Sequence, residues 1–81
     1  MTLDIITPDK RIYQGPATAV FFPGVDGSFE VLDHHAAMVS ALTSGDLRVT
    51  TPTETIDFQI DGGVVEIVDN KVTVLAEGVS L

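Results

Sequence analysis

The stretch PGVDGSFEVLDHH, Pro23 to His35, sets Asp26, Glu30 and Asp33 beside the chain's two histidines, His34 and His35. Carboxylates and imidazoles at this density are the ligand types of a metal site. Their spacing argues otherwise. On an extended backbone adjacent side chains point to opposite faces, so His34 and His35 do not chelate one ion, and chelating pairs more often skip a residue on a strand or stand four apart on a helix. No metal is expected, and one histidine should pack or cap locally while the other meets solvent. Acid–base catalysis needs two carboxyls whose surroundings split their pKa values, and the twelve acids fall mostly in turns or on wet faces. Ser28, Ser40, Ser44 and Ser80 lie outside any nucleophile-elbow pattern. Gly24 and Gly27 would cradle a phosphate only if a helix began directly after them, whereas Ser28 to Leu32 reads as a strand. What remains is recognition. Pro23 ends a strand, glycine supplies positive φ, and a tight acidic turn backed by Phe29 projects as a rigid contact surface. The expectation is a binding protein with no catalytic residues and no cofactor.

The elements that must hold this turn are strands. Ile56, Phe58 and Ile60 alternate with Thr55, Asp57 and Gln59, Leu47 and Val49 with Arg48 and Thr50, and Val72, Val74 and Ala76 with Lys71, Thr73 and Leu75. Further strands are expected at Leu3 to Ile6, Arg11 to Gln14, Ala17 to Phe22, Ser28 to Leu32 and Val64 to Val68. Breaks are expected at Thr7-Pro8-Asp9, Gly15-Pro16, Pro23 to Gly27, Ser44-Gly45, Thr51-Pro52, Asp61-Gly62-Gly63 and Asp69-Asn70. Asp69-Asn70 fits a two-residue hairpin turn, since Asn tolerates positive φ and its flanks are β-branched. The segment His34 to Leu42 carries both a helical stripe and a strand alternation, and is assigned as loop followed by strand. Short strands separated by turns throughout give an all-β sandwich or barrel of antiparallel neighbours. Ala17 to Phe22 and Val64 to Val68 are apolar on both faces, which fits either a closed core or a patch that a partner covers.

Composition narrows the partners. Residues 1 to 81 make one domain, near the lower size at which a single apolar core suffices, and without cysteine there is no disulfide to supplement it. The formal net charge is −8, and the four cations, Lys10, Arg11, Arg48 and Lys71, are scattered, so nucleic-acid binding is excluded. An acidic surface is repelled by anionic headgroups, so contact with a membrane should run through another protein. The N-terminal MTLDIITPDKR has neither the basic nor the long apolar region of a signal peptide, and no apolar run approaches the ~20 residues that span a bilayer. A cytoplasmic protein is expected.

Read as one string, FPGVDGSFEVLDHHAAMVSALTSGDLRV followed by GGVVEIVDNKVTVLAEG, the chain resembles the epsilon subunit of F-type ATP synthases, called delta in mitochondria. The first motif of that family is a proline-glycine turn with a second glycine, a hydrophobic stretch ending in histidine-alanine, and a strand entering a glycine turn. It is carried here by Pro23, Gly24, Gly27, Val31, Leu32, His35, Ala36, Leu42 and Gly45. The second is a double glycine, a valine-rich strand, a turn with Asn and V-T-V-L-A, carried by Gly62, Gly63, Val65, Asn70 and Val72 to Ala76. Glu30 and His34 replace family glycines, Asp33 and Ala37 replace prolines, and Ser28 stands where many members have a carboxylate, a charge that Asp26 can supply.

The resemblance implies a small β-sandwich of two mostly antiparallel sheets, roughly five strands each. It implies a non-catalytic central-stalk subunit that couples proton-driven rotation of the c-ring to the gamma shaft, on the cytoplasmic face of the cell inner membrane. Matched position by position, it places Gly24, Val25, Asp26, Gly27, Ser28 and Phe29 toward the c-ring, and His35, Thr7 and Ser40 toward gamma. Many relatives continue into a C-terminal helical hairpin that binds ATP or blocks rotation. Five residues follow Ala76 here, so coupling without hairpin-mediated inhibition is the expectation. The competing class is a stand-alone ligand-binding β-sandwich or barrel.

Overall fold

A computed structural model describes residues 1–81, and every regular element in it is a strand. The strands are β1 (Thr2–Ile6), β2 (Arg11–Pro16), β3 (Ala19–Phe22), β4 (Phe29–Leu32), β5 (Met38–Thr50), β6 (Thr55–Val68), β7 (Lys71–Ala76) and β8 (Val79–Ser80). One hydrogen-bonded path joins them in the order β2-β1-β7-β6-β5-β3-β4, and β8 adds to β6. All pairings are antiparallel except β1 with β7.

This single ladder makes two layers because its two longest strands change their buried face together. In β5 the inward side chains are Met38, Ser40 and Leu42, then Leu47 and Val49; in β6 they are Ile56, Phe58 and Ile60, then Val65 and Ile67. The pairing register does not slip across the change, running from Met38↔Ile67 to Thr50↔Thr55. A strand with strict period 2 cannot move its apolar set from even to odd positions, so both chains must twist out of regular geometry at the same level. They do so at Thr43 to Gly45 and Asp61 to Gly63, where the Thr43–Gly62 pair is missing from the ladder. Gly62 and Gly63 take φ of 125° and 149°, values that disfavour any side chain. At Gly63 the crowding adds to this, because a Cβ there would overlap the Leu75 carbonyl oxygen and lie 2.9 Å from Ala76 Cα.

Beyond the twist each half of the ladder has its own neighbours. Val64 to Val68 pair with β7, which pairs with β1, while Gln59 and Ile60 pair with β8 and Arg48 to Thr50 pair with β3. Counting the long strands in both, five strands lie in each layer, as the sequence resemblance implies. Between them sit sixteen buried apolar residues, among them Leu3, Ile5, Phe22, Leu47, Ile60, Ile67 and Val74. The alternation expected at Thr55 to Ile60 and Val72 to Ala76 is the one observed: Phe58, Ile60, Val72, Val74 and Ala76 are all buried.

Local reading departs from the structure at four places. Gly15-Pro16, expected as a break, lies inside β2, because pairing with Leu3 and Thr2 of β1 carries the strand through it. Ser44-Gly45 and Asp61-Gly62-Gly63, expected as breaks, are bends inside continuous strands, because the cross-strand ladder carries the chain through glycines that would end an isolated strand. The parallel β1–β7 pair was not expected among antiparallel neighbours; it joins two strands distant in sequence, and no local pattern encodes that. The short β8 follows a turn in which Asp61 N donates to Gly78 O and Glu77 N to Gly62 O. The Asp69-Asn70 turn is as expected, with φ of 49° and 62°.

Two outcomes follow from this architecture. Gly63→Ala should lower stability by roughly 2–4 kcal/mol, read as a lower denaturation midpoint, since strain from positive φ adds to a clash with backbone that cannot move aside. The second concerns the exposed Arg48–Asp57 pair, which is 2.7 Å apart across β5 and β6. The hydrogen bond from Arg48, then its charge, holds the Asp57 carboxyl below its ordinary value of 3.8. A depressed folded-state pKa contributes stability that is complete above the unfolded value and is lost as pH falls through the folded one. Asp57→Asn should therefore flatten the acid limb of a stability–pH curve below about pH 4 and leave the slope at neutral pH unchanged.

Candidate functional site

The Pro23–Phe29 turn is built from behind. Thr43 N donates to Pro23 O at 2.8 Å and Val25 N to Ala41 O at 3.1 Å, which ties the turn along the free edge of the first half of β5. Gly27 N closes it onto Gly24 O at 3.1 Å. Gly24 is buried, and a Cβ there would lie 2.5 Å from Gly27 O and 2.9 Å from the Phe29 ring. Phe29 is half-buried and stacks on Phe22 with ring centroids 5.3 Å apart. Of the six residues expected to form a contact surface, Val25, Asp26, Gly27 and Ser28 are exposed, while Gly24 and Phe29 hold them in place from the core side.

The histidines sit on the connection from β4 to β5, which crosses from one layer to the other. His34 is exposed and His35 half-buried. The His35 ring is local in its bonding, with Nδ1 2.8 Å from Ala36 O, and the His35 backbone N–H donates to Leu32 O at 3.3 Å. His34 occupies the left-handed region at φ 63°, so the backbone keeps a glycine-like conformation where the sequence resemblance expects glycine. Its N–H donates to Asn70 Oδ1 at 2.7 Å. Next to it, Asp33 meets the amino group of Met1, and that hydrogen bond, more than the Asn70 side chain, holds the Asp33 carboxyl below its usual range. No three His, Asp or Glu side chains converge as metal ligands.

Thr7 and Ser40, expected to face the same partner as His35, stand apart from it. Thr7 lies just past the end of β1, half-buried, and its hydroxyl lies 3.2 Å from Lys10 O and 3.3 Å from Lys10 N in the turn to β2. Ser40 is half-buried in β5, opposite Val65. His35 precedes β5 at the opposite end of the layer from Thr7, because β1 and β7 run from the Asn70 turn toward Thr7 while β5 runs from His35 toward the Gly63 twist.

Between these positions lies a surface that reading by separate segments did not assemble. Register puts Ala41, Val64, Leu75 and Ile6 side by side across β5, β6, β7 and β1, with Val39 in the next row. Val39 is 68% exposed, Val64 40% and Leu75 56%. The groove at the Thr7 end of this row has a volume of about 360 Å³ and is lined by Ile6, Thr7, Pro8, Val64 and Leu75 among others. The other outer face is different in kind. There Glu30, Phe21, Arg48 and Asp57 form the corresponding row, with the ion pair at its end. One outer face thus carries an apolar row beside a polar one of Glu66, Thr73 and Asp4, and the other carries the ion pair. The signal was present in the two-sided apolar character of Val64 to Val68, and only strand register shows that Val64 meets Leu75 and Ala41.

Known proteins carry the same fold and sequence pattern. The family model described as ATP synthase, Delta/Epsilon chain, beta-sandwich domain matches residues 1–81. The ATP synthase epsilon chain of Salinibacter ruber is 48% identical over 98% of this chain and 59% of its own length. That of Chlorobium limicola is 43% identical over 96% of this chain and 90% of its own. Among solved structures, a chain of the Euglena gracilis mitochondrial ATP synthase (OSCP/F1/c-ring) superposes with a TM-score of 0.91 at 25% identity, over 96% of this chain and 51% of that one. A chain of the Tetrahymena thermophila mitochondrial ATP synthase central stalk/c-ring superposes with a TM-score of 0.86 at 19% identity, which speaks to fold. This chain therefore spans between about half and nine tenths of the proteins it matches. These matches, covering the whole two-layer sheet, settle its kinship: the chain belongs to the delta/epsilon family of ATP synthase, as its β-sandwich domain.

Proposed function

We propose that the chain works as a non-catalytic adaptor in the rotor of an F-type ATP synthase, seated between the gamma subunit and the c-ring, and held through them at the cytoplasmic face of the cell inner membrane. The observation that carries this reading is the apolar row of Ala41, Val64, Leu75 and Ile6, with Val39 beside it on β5, on one face of a chain whose net charge is −8. An apolar row bordered by polar residues, here Glu66, Thr73 and Asp4, has the form of a protein interface. His35 and Thr7 lie at the two ends of that layer, a frame that fits one extended gamma contact, while Ser40 is set back on the inner side of β5. The Val25–Ser28 turn projects from the edge of the same layer and is braced by backbone hydrogen bonds and by the Phe22–Phe29 stack. A turn stiffened in this way suits a part that must transmit torque to the polar loops of a c-ring, because an interface loop that yields dissipates the displacement it should pass on.

A free-standing ligand-binding sandwich is the weaker reading. Such proteins enclose most of their ligand, whereas the cavities here are surface grooves, and the interior is filled by the core.

The adaptor reading is tested by co-purification with the gamma subunit of the same source. The parent chain should form a stable complex. Leu75→Lys, at an exposed position, should stay folded yet weaken that complex by about ten- to a hundredfold, the cost of losing one buried Leu; equal recovery of parent and variant would count against it. In reconstituted vesicles, a chain carrying Asp26→Lys and Ser28→Lys should leave ATP hydrolysis intact and reduce proton pumping, and undiminished pumping would remove the turn from the c-ring contact.

A further inference from the structure

Asn70 does more than turn a hairpin. The two-residue turn requires left-handed backbone at both central positions, and Gly, Asp and Asn all supply it. Asn alone among them carries both an acceptor and a donor on a neutral side chain. The acceptor is in use here. Oδ1 accepts the His34 N–H at 2.7 Å across 36 residues of sequence, and the side chain also stabilises the charged form of Asp33. The backbone carbonyl of Asn70 accepts from Thr2 N at 3.1 Å. One residue thus fastens the start of β1, the β6–β7 turn and the loop that passes between the layers.

That loop has one other side-chain tether from outside, the Met1 amino group on Asp33, and it does not reach His34. His34 sits at φ 63° without being glycine, a conformation that persists only where its surroundings impose it. Asp33, His34, Ala36 and Ala37 are all exposed, so burial does not impose it. The hydrogen bonds within the loop are those of His35 to Leu32 O and Ala36 O. The contact that reaches His34 from outside is Asn70.

We propose that Asn70 is a positioning residue for the partner-facing edge: through His34 N–H and Asp33 it locks the β4–β5 crossing and thereby sets where His35 and the start of β5 present themselves. This rests on the reading that the His35 edge meets the gamma subunit. Aspartate at this position would keep the acceptor but set a carboxylate against Asp33, and glycine would keep the turn and lose both contacts, so the two substitutions grade the latch while sparing the backbone conformation.

Amide hydrogen exchange by NMR on the 81-residue chain, together with affinity for the gamma subunit, tests this. Asn70→Gly should speed exchange at His34 by about tenfold, the value of one hydrogen bond. Asn70→Asp should have a smaller effect, and amides in β5 and β6 should keep parental rates in both. Gamma affinity should fall in the same order, with faster dissociation. Parental His34 exchange in Asn70→Gly, or acceleration spread evenly over β6 and β7, would overturn the latch. A loosened loop with undiminished gamma affinity would leave the latch standing and overturn the docking reading of the His35 edge.

Discussion

The structure depends on one geometrical event, the joint change of buried face in β5 and β6. Without it, a thirteen-residue strand paired to a fourteen-residue one would turn the same side chains inward along its whole length. Leu47, Val49, Phe58 and Ile60 would then lie on the opposite side from Leu42, Val65 and Ile67, and no single core could collect both sets. Because the strands twist at the same level and the ladder keeps its register, each half faces the other across sixteen buried residues. Gly63 makes this feasible twice over, by adopting a backbone angle that side chains disfavour and by letting the Leu75 carbonyl approach closely.

The same event distributes function. Once the inner faces are assigned, everything left over on the strands is outside, and the two outer faces inherit different chemistry. The layer containing β1, β7 and the second half of β6 turns out Ile6, Leu75 and Val64. The layer containing β3, β4 and the first half of β6 turns out Phe21, Glu30 and Asp57, with Arg48 of β5 among them. The projecting turn is attached at the boundary, since Pro23 and Val25 bond to Thr43 and Ala41 close to the twist. Turn and apolar face are consequently fixed relative to each other by backbone hydrogen bonds. That is the mechanical property an adaptor between two partners needs.

Much of this was legible in the sequence and some was not. Alternation in Thr55 to Ile60 and Lys71 to Ala76 identified both the strands and their inward side chains, because period 2 is a local property. The Asp69-Asn70 turn was legible for the same reason. The continuity of β5 and β6 was hidden, since Gly62-Gly63 in isolation is a strand breaker and only a paired neighbour carries the chain through it. The apolar face was half visible: Val64 and Leu75 read as apolar residues on the wrong side of their strands, but their adjacency arises from register between segments far apart. The projecting turn was legible because its residues are contiguous, though which of them face the core was not. Asn70 entered only as a turn residue, for its contact with His34 spans the whole of β5 and β6.

An exposed apolar row is costly for so small a domain, and the cost bears on why it is there. At 81 residues the core is near the lower limit for independent folding, and moving Leu75, Val64 or Val39 inward would have enlarged it. Leaving them outside means that the domain alone is less stable than its composition permits. A partner that covers them adds burial to the native state only, and by linkage the apparent stability then rises with the partner's concentration relative to its dissociation constant. The net charge of −8 adds like-charge repulsion between copies. On the proposed adaptor reading, a domain built this way folds alone and gains further stability when a partner covers the row, so exposure of apolar surface becomes a store of binding free energy.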